Sequence, residues 1–170
     1  DAGGAQGVEF VPEPGTARLF RDALGQFATG VTLITIRTES GPMGFAANSF
    51  AAVSLDPPLV LWSVARSSRR APHYLAATDF AIHVLPLSEH GLLARFARDG
   101  AGFAGLAHGT NAQGVPVLDT ALARFDCRQH AVHDGGDHAI ILGRVLGAVN
   151  RGGQALVFNQ GRYGTFHPRL

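Results

Sequence analysis

The chain predicts a mainly β fold with short helices, an antiparallel sheet of the kind that closes into a barrel. Two observations carry this reading. About six or seven runs rich in β-branched and apolar residues follow one another across short turns, which favours antiparallel pairing. Strands and helices do not alternate regularly, and there is no G-x-G-x-x-G segment, which argues against a doubly wound dinucleotide-binding fold.

Residues 1–15 are rich in Gly and Pro and read as an N-terminal arm ahead of a single domain over residues 16–170. Residues 17–28 read as a helix. Leu19, Phe20, Ala23, Leu24 and Phe27 fall on one side at helical spacing, so this helix is expected to cover the core. Thr16 is the expected N-cap, and Gly30 follows the end. Residues 31–37 (VTLITIR) form a β-branched strand, and 39–42 a turn. Short strands over 43–48 and 53–55 flank a corner at Asn48 and Ser49. Residues 59–64 (LVLWSV) read as a buried strand, 69–77 as a short helix, and 80–85 (FAIHVL) as another strand.

Residues 89–98 are helical, with Leu92, Leu93 and Phe96 as the apolar side. Residues 99–114 are Gly-rich and weakly patterned, and such long loops are often functional. Two long strands, 121–132 and 139–149, flank the segment 133–138, where Asp134-Gly135 is a hairpin signal. A last strand covers 155–158, and residues 161–164 turn the chain before its tail.

A length of 170 residues suffices for one domain with a sizeable core. Only 16% of residues are charged against 46% hydrophobic, so part of the surface is expected to be covered by a second copy. The net charge is +1 and the only basic pair is Arg69-Arg70, which argues against nucleic acid and against an anionic membrane as partner. The single Cys127 excludes an internal disulfide and a Cys-rich zinc site and fits a cytoplasmic location. No apolar run is long enough to span a bilayer, and the start at Asp1 does not read as a signal peptide.

The most informative stretch is residues 41–70. Small residues at strand ends let a flat ring approach the backbone, and hydroxyls at a helix start suit a phosphate. A flat ring with a phosphate tail is a flavin. The same small residues also occur where strands merely bend, and Ser67-Ser68 also suits an ordinary helix cap. Among the eight histidines, His130, His133 and His138 lie near one hairpin, but no metal-ligating pattern joins them, and no metal is expected. No G-x-S-x-G elbow supports a hydrolase. His138 stands next to Asp137. An imidazole so held can bond a ligand, and a turn histidine can equally bond only its own backbone.

The segments FRDALGQFATGVTLIT (20–35), GFAANSFAAVSLDPPLVLWSV (44–64), FAIHVL (80–85), GGDHAIILGRV (135–145) and GRYG (161–164) occur in that order. With them the chain resembles the short-chain flavin reductases, the reductase components of two-component flavin-dependent monooxygenases, over about residues 19 to 163. The resemblance implies an FMN-binding split β-barrel, antiparallel and Greek-key-like, working as a homodimer. It implies reduction of FMN or FAD by NADH or NADPH, with reduced flavin passed to a partner monooxygenase.

It also implies site residues. Ala46, Ala47, Asn48 and Ser49 line the isoalloxazine, and backbone N–H groups near Asn48 and Ser49 stabilise charge on the reduced ring. Ser63, Ala65, Ser67, Ser68 and Arg69 meet the ribityl chain and phosphate. Phe96 is a further candidate flavin contact. Asp137, His138 and Tyr163 lie on the nicotinamide side, with His138 the candidate catalytic residue. Many relatives carry Asn where this chain has His83; the change is expected to be tolerated, since a strand residue there can still hydrogen-bond, but it does not support a specific flavin contact by that side chain. The competing expectation is a protein that stores or senses flavin without turnover; it needs no nicotinamide side.

Overall fold

The computed structural model describes residues 7–170, so residues 1–6 of the expected arm lie outside the described residues. After a short 3-10 turn at Pro14–Thr16 the elements are α1 (Ala17–Leu24), β1 (Thr29–Gly30), β2 (Thr32–Thr38), β3 (Gly41–Ala47), β4 (Ala51–Leu55), β5 (Pro58–Ala65), α2 (Ala71–Ala76), β6 (Asp79–Val84), α3 (Gly91–Phe96), β7 (Gly109–Thr110), β8 (Pro116–Val117), β9 (Ala123–Gly135), β10 (His138–Asn150), β11 (Val157–Asn159) and β12 (Arg162–Gly164).

Seven strands form one antiparallel sheet in the order β3-β2-β6-β9-β10-β5-β4. Its edge strands β3 and β4 are neighbours in sequence, joined by the corner at residues 48–50. The sheet curls: Phe45 of β3 meets Trp62 of β5 at 5.8 Å between ring centroids, and Tyr74 of α2 lies 5.7 Å from Phe45 and 5.2 Å from Trp62. Curling buries one aromatic core between the two ends of the sheet. Small pairings add β1-β11-β12 and β7-β8.

Strand β2 divides two cores. Ile34 and Ile36 pack with Val60, Trp62, Val64, Tyr74 and Phe80, while Val31 and Leu33 pack with Leu85, Leu92, Phe96, Phe103 and Leu156. A strand buried on both faces reads as a continuous apolar run, as VTLITI does. Strand β5 instead alternates: Val60, Trp62 and Val64 point inward, and Leu61, Ser63 and Ala65 lie on the other face.

Several expectations are corrected. Helix α1 stops at Leu24, because Asn159 Nδ2 and the Gln160 N–H take the Gly25 carbonyl and Asn159 also bonds Gln26 O, drawing the chain out of the helix. Its apolar side does not cover the core: Leu19, Phe20, Leu24 and, at 80% exposed, Phe27 face outward. Thr16 takes the expected N-cap position of α1, but its side chain makes no capping bond to the helix. Its hydroxyl donates to Val11 O at 2.6 Å and accepts from the Glu13 N–H, closing the preceding turn. Residues 99–114 form the expected loop apart from β7, and that loop is packed down. Phe103 joins the second core, and Asn111 ties the segment down, its Nδ2 donating to Asp126 and its Oδ1 accepting the N–H groups of Gln113 and Val115. The hairpin turn falls on Gly136-Asp137 rather than on Asp134-Gly135, since Gly136 supplies the left-handed φ of +72° that a two-residue turn needs at its first position.

Candidate active site

The inner candidates converge. Ala46, Ala47 and Asn48 at the end of β3 line one side of a cleft of about 220 Å³, and Val31, Leu93, Phe158 and Tyr163 line the other. Residues at 46–48 carry no bulky side chain before Asn48, so the backbone forms the floor. Tyr163 arrives on the β11–β12 hairpin, whose turn has Gln160 and Gly161 both at positive φ. Its ring is braced by Phe158 at 5.0 Å and by His90 at 5.1 Å, and it remains 48% exposed. Beside this cleft Thr29, paired with Phe158 across β1 and β11, keeps a buried Oγ1 with no partner among the described residues.

The corner carries the chain from the cleft to the outer face of the sheet. Ser49 Oγ accepts the Ser63 N–H at 2.9 Å, which fixes the corner against β5. The Ser49 hydroxyl is therefore engaged within the chain. On that outer face Ala65 pairs with His138, and Ser63 with Ile140, so Ser49, Ser63, Ala65 and His138 form one neighbourhood. His138 Nδ1 lies 2.7 Å from Asp137 Oδ1, and this hydrogen bond holds the Asp137 carboxyl below its usual range. The His138 side chain is 45% exposed. It does not line the cleft that Ala46 and Tyr163 share within this chain. Arg66 pins the hairpin: its N–H donates to Asp137 O, its Nε to Gly136 O and its Nη2 to Asp134.

Ser67, Ser68 and Arg69 occupy the turn between β5 and α2. The helix begins at Ala71, two residues later than expected, with Arg70 as N-cap, and has only six residues. Ser68 therefore does not cap α2; its Oγ accepts the Arg70 N–H within the turn. Ser68, Arg69, Arg70 and His73 line a second cleft of about 500 Å³ with Met43, Arg98 and Asp99. Its charge is strongly positive, which suits an anion.

One candidate leaves the site. Phe96 is fully buried, packed on Phe103 and under Gly44, where even a Cβ would sit 2.6 Å from its ring, so it is a core residue and offers no flavin contact. His83 is also fully buried. Its Nδ1 bonds Leu33 O at 3.0 Å and its Nε2 accepts the Leu118 N–H at 3.0 Å. Burial lowers its pKa to about 4, so the ring is neutral with the proton on Nδ1. Cys127 is buried too, its thiol pushed up to about 12, and is not a nucleophile. Among the described residues no cluster of three or more His, Cys, Asp or Glu gathers to hold a metal ion.

Sequence reasoning missed Val31, Leu93 and Phe158, which read as ordinary core positions, and Arg66 and Arg70, whose partners lie far away in sequence.

The chain is 54% identical to the FMN reductase (NADH) SmoA of Agrobacterium fabrum, over 92% of this chain and 90% of that protein. It is 42% identical to the flavin-dependent monooxygenase reductase subunit HsaB of Rhodococcus jostii, over 89% and 78% respectively. The structure of the NADH:FAD oxidoreductase SgcE6 of Streptomyces globisporus, in complex with NAD and FAD fragments, superposes with a TM-score of 0.86 at 33% identity, covering 95% of this chain and 98% of that one. The family model for the flavin reductase like domain matches residues 24–167. That match takes in both the small-residue floor at 46–48 and Tyr163, and the chain belongs to the flavin reductase like domain family.

Proposed function

We propose that this protein reduces FMN or FAD with NADH, or NADPH, and passes the reduced flavin to a partner flavin-dependent monooxygenase. The observation that carries this is the cleft in which the bare backbone of residues 46–48 faces Tyr163. Flavin fits these residues: the floor carries only alanines ahead of Asn48, Thr29 Oγ1 is a buried polar atom in want of a partner, and an arginine-rich cleft flanks the Ser68 turn. Bound flavin supplies the hydride-accepting chemistry, which requires no acid–base side chain. The chain's own residues orient and exclude. Tyr163 covers the cleft, the Ser67–Arg69 turn holds the phosphate, and His138 positions the dinucleotide. The named activities of SmoA, HsaB and SgcE6 support turnover over storage. Adding FMN to the purified protein with NADH is expected to start NADH oxidation; flavin binding without oxidation would favour a storage role.

The curled sheet is read as a split β-barrel that works as a homodimer. At about 220 Å³ the cleft is smaller than the roughly 300–1,000 Å³ of complete ligand sites, so a second copy is expected to supply the rest. The outward apolar side of α1, with Leu55 on the edge strand β4, is the surface such a copy would cover. Sedimentation is expected to show a dimer at micromolar concentration, and a monomer there would remove this reading. No helix among the described residues is long and apolar enough to cross a membrane. The proposed working compartment is the cytoplasm, where nicotinamide cofactors are kept reduced.

Ser68→Asp is expected to weaken flavin binding while the fold survives. The side chain is half-buried in a turn that borders the positive cleft, and a carboxylate there repels a phosphate. Fluorescence quenching of FMN measures the effect; parental affinity would place the phosphate elsewhere.

A further inference from the structure

Arg70 is the side chain that joins the two parts of the site. Through one terminal nitrogen it donates to Gly44 O at 2.9 Å and Phe96 O at 2.8 Å, and through the other to Ala97 O at 3.3 Å. Its guanidinium stands 4.8 Å from the centroid of the Phe45 ring. It therefore grips β3 and the C-terminal carbonyls of α3 at once, and a cation is favoured at a helix C-terminus. Its own backbone N–H meanwhile bonds Ser68 Oγ. The contact is close-packed: a Cβ on Gly100 would lie 2.7 Å from Gly44 O and 3.0 Å from the Arg70 side chain. Among the described residues Arg70 forms no ion pair with a carboxylate, and its guanidinium is engaged by carbonyls.

We infer that Arg70 is a positioning residue that sets the phosphate-binding turn against the ring-binding floor. The inference rests on the proposed flavin site. β3 is held by its full ladder with β2, from Thr32↔Ala47 to Thr38↔Gly41, and does not depend on Arg70. The turn at residues 66–70 has no ladder. It is fastened by Arg66 at the hairpin end and by Arg70 at the β3 end. Removing the Arg70 grip leaves the floor in place and frees Ser68 and Arg69 to move relative to it. Binding of the ring then survives, and the extra affinity that comes from the phosphate is lost.

The test compares FMN with riboflavin, which has the same ring and no phosphate, by fluorescence quenching, with a melting curve on each sample. In Arg70→Ala the FMN affinity is expected to fall about tenfold or more, and riboflavin affinity by less than about threefold. Arg70→Lys is expected to remain weak for FMN, because an ammonium keeps the charge but cannot span the same three carbonyls. Arg70→Gln carries the same comparison should the alanine variant lose its melting transition. Equal loss for both ligands, or none for either, overturns the inference. So does parental FMN affinity in Arg70→Lys, which would show that charge alone suffices. A parent protein that binds riboflavin as tightly as FMN is a different failure: it removes the phosphate reading of the turn, and the inference falls with it.

Discussion

Replacing His138 with alanine is expected to lower kcat/KM for NADH about five- to a hundredfold and to leave flavin affinity nearly unchanged, the loss of one positioning hydrogen bond. The structure makes the test clean. His138 is the first residue of β10, on the outer face of the sheet, and it contributes nothing to either core. Its Nδ1 is engaged by Asp137, which leaves Nε2 as the ring nitrogen available to a ligand. A hydrogen-bonding nitrogen at that place suits the carboxamide of a nicotinamide. Asp137 orients the ring, and Asp137→Asn, which keeps a hydrogen-bonding group, is expected to cost less than His138→Ala. Arg66 holds the turn from below in both variants. Stopped-flow reduction of bound flavin, with a melting curve on the same sample, separates positioning from stability. An unchanged reduction rate and nicotinamide affinity would remove His138 from the site.

His83→Ala is expected to destabilise the fold by roughly 3–5 kcal/mol, because it opens a cavity and strands the Leu33 carbonyl and the Leu118 N–H in the interior. For a domain of this size that corresponds to a drop in Tm of roughly 10 °C. The ring staples three segments: its own strand β6, the neighbouring β2, and the segment after β8. His83 also sets an acid limit. Its folded pKa is lowered from 6.5 to about 4, so protons bind more tightly to the unfolded chain. Its contribution is complete above pH 6.5 and is lost progressively as pH falls towards 4. Over that window the linkage amounts to about 3 kcal/mol. His83→Asn keeps a group able to bond Leu33 O but is too short to reach the Leu118 N–H. It is expected to be less stable than the parent at neutral pH and to lose less stability on acidification. A parent and an Asn variant with parallel stability–pH curves would show that His83 does not set the limit.

Local pattern was legible wherever neighbours in sequence decide the outcome. The β-branched run at 31–37, the apolar run at 59–64 and the Gly-rich hairpin between two long strands each became a strand or a turn, with ends displaced by a residue or two. The floor of the cleft was legible for the same reason: residues 46–48 are contiguous, and absence of bulk can be read directly. Phe96 shows where such reading stops. Its position on an apolar helix side is the same whether the side faces a ligand or a core, and only the packing under Gly44 decides.

Helix α1 failed in the opposite direction. Its periodicity was real, but periodicity states that a face is apolar and not what covers it, and here that face looks outward. The determinants of the site that no local pattern could show are the long-range ones. Tyr163 reaches residues 46–48 only because β11 pairs with β1, Arg70 bonds carbonyls of β3 and of the end of α3, and His83 bonds Leu33 and Leu118. By itself the sequence determined the strand-rich class, the small-residue floor and the family, because each rests on residue type in a contiguous stretch. The tertiary structure alone decided which apolar faces are core and which side chains fasten the site. Those depend on how the sheet curls, and curling brings together residues separated by tens of positions, for which a single chain carries no marker.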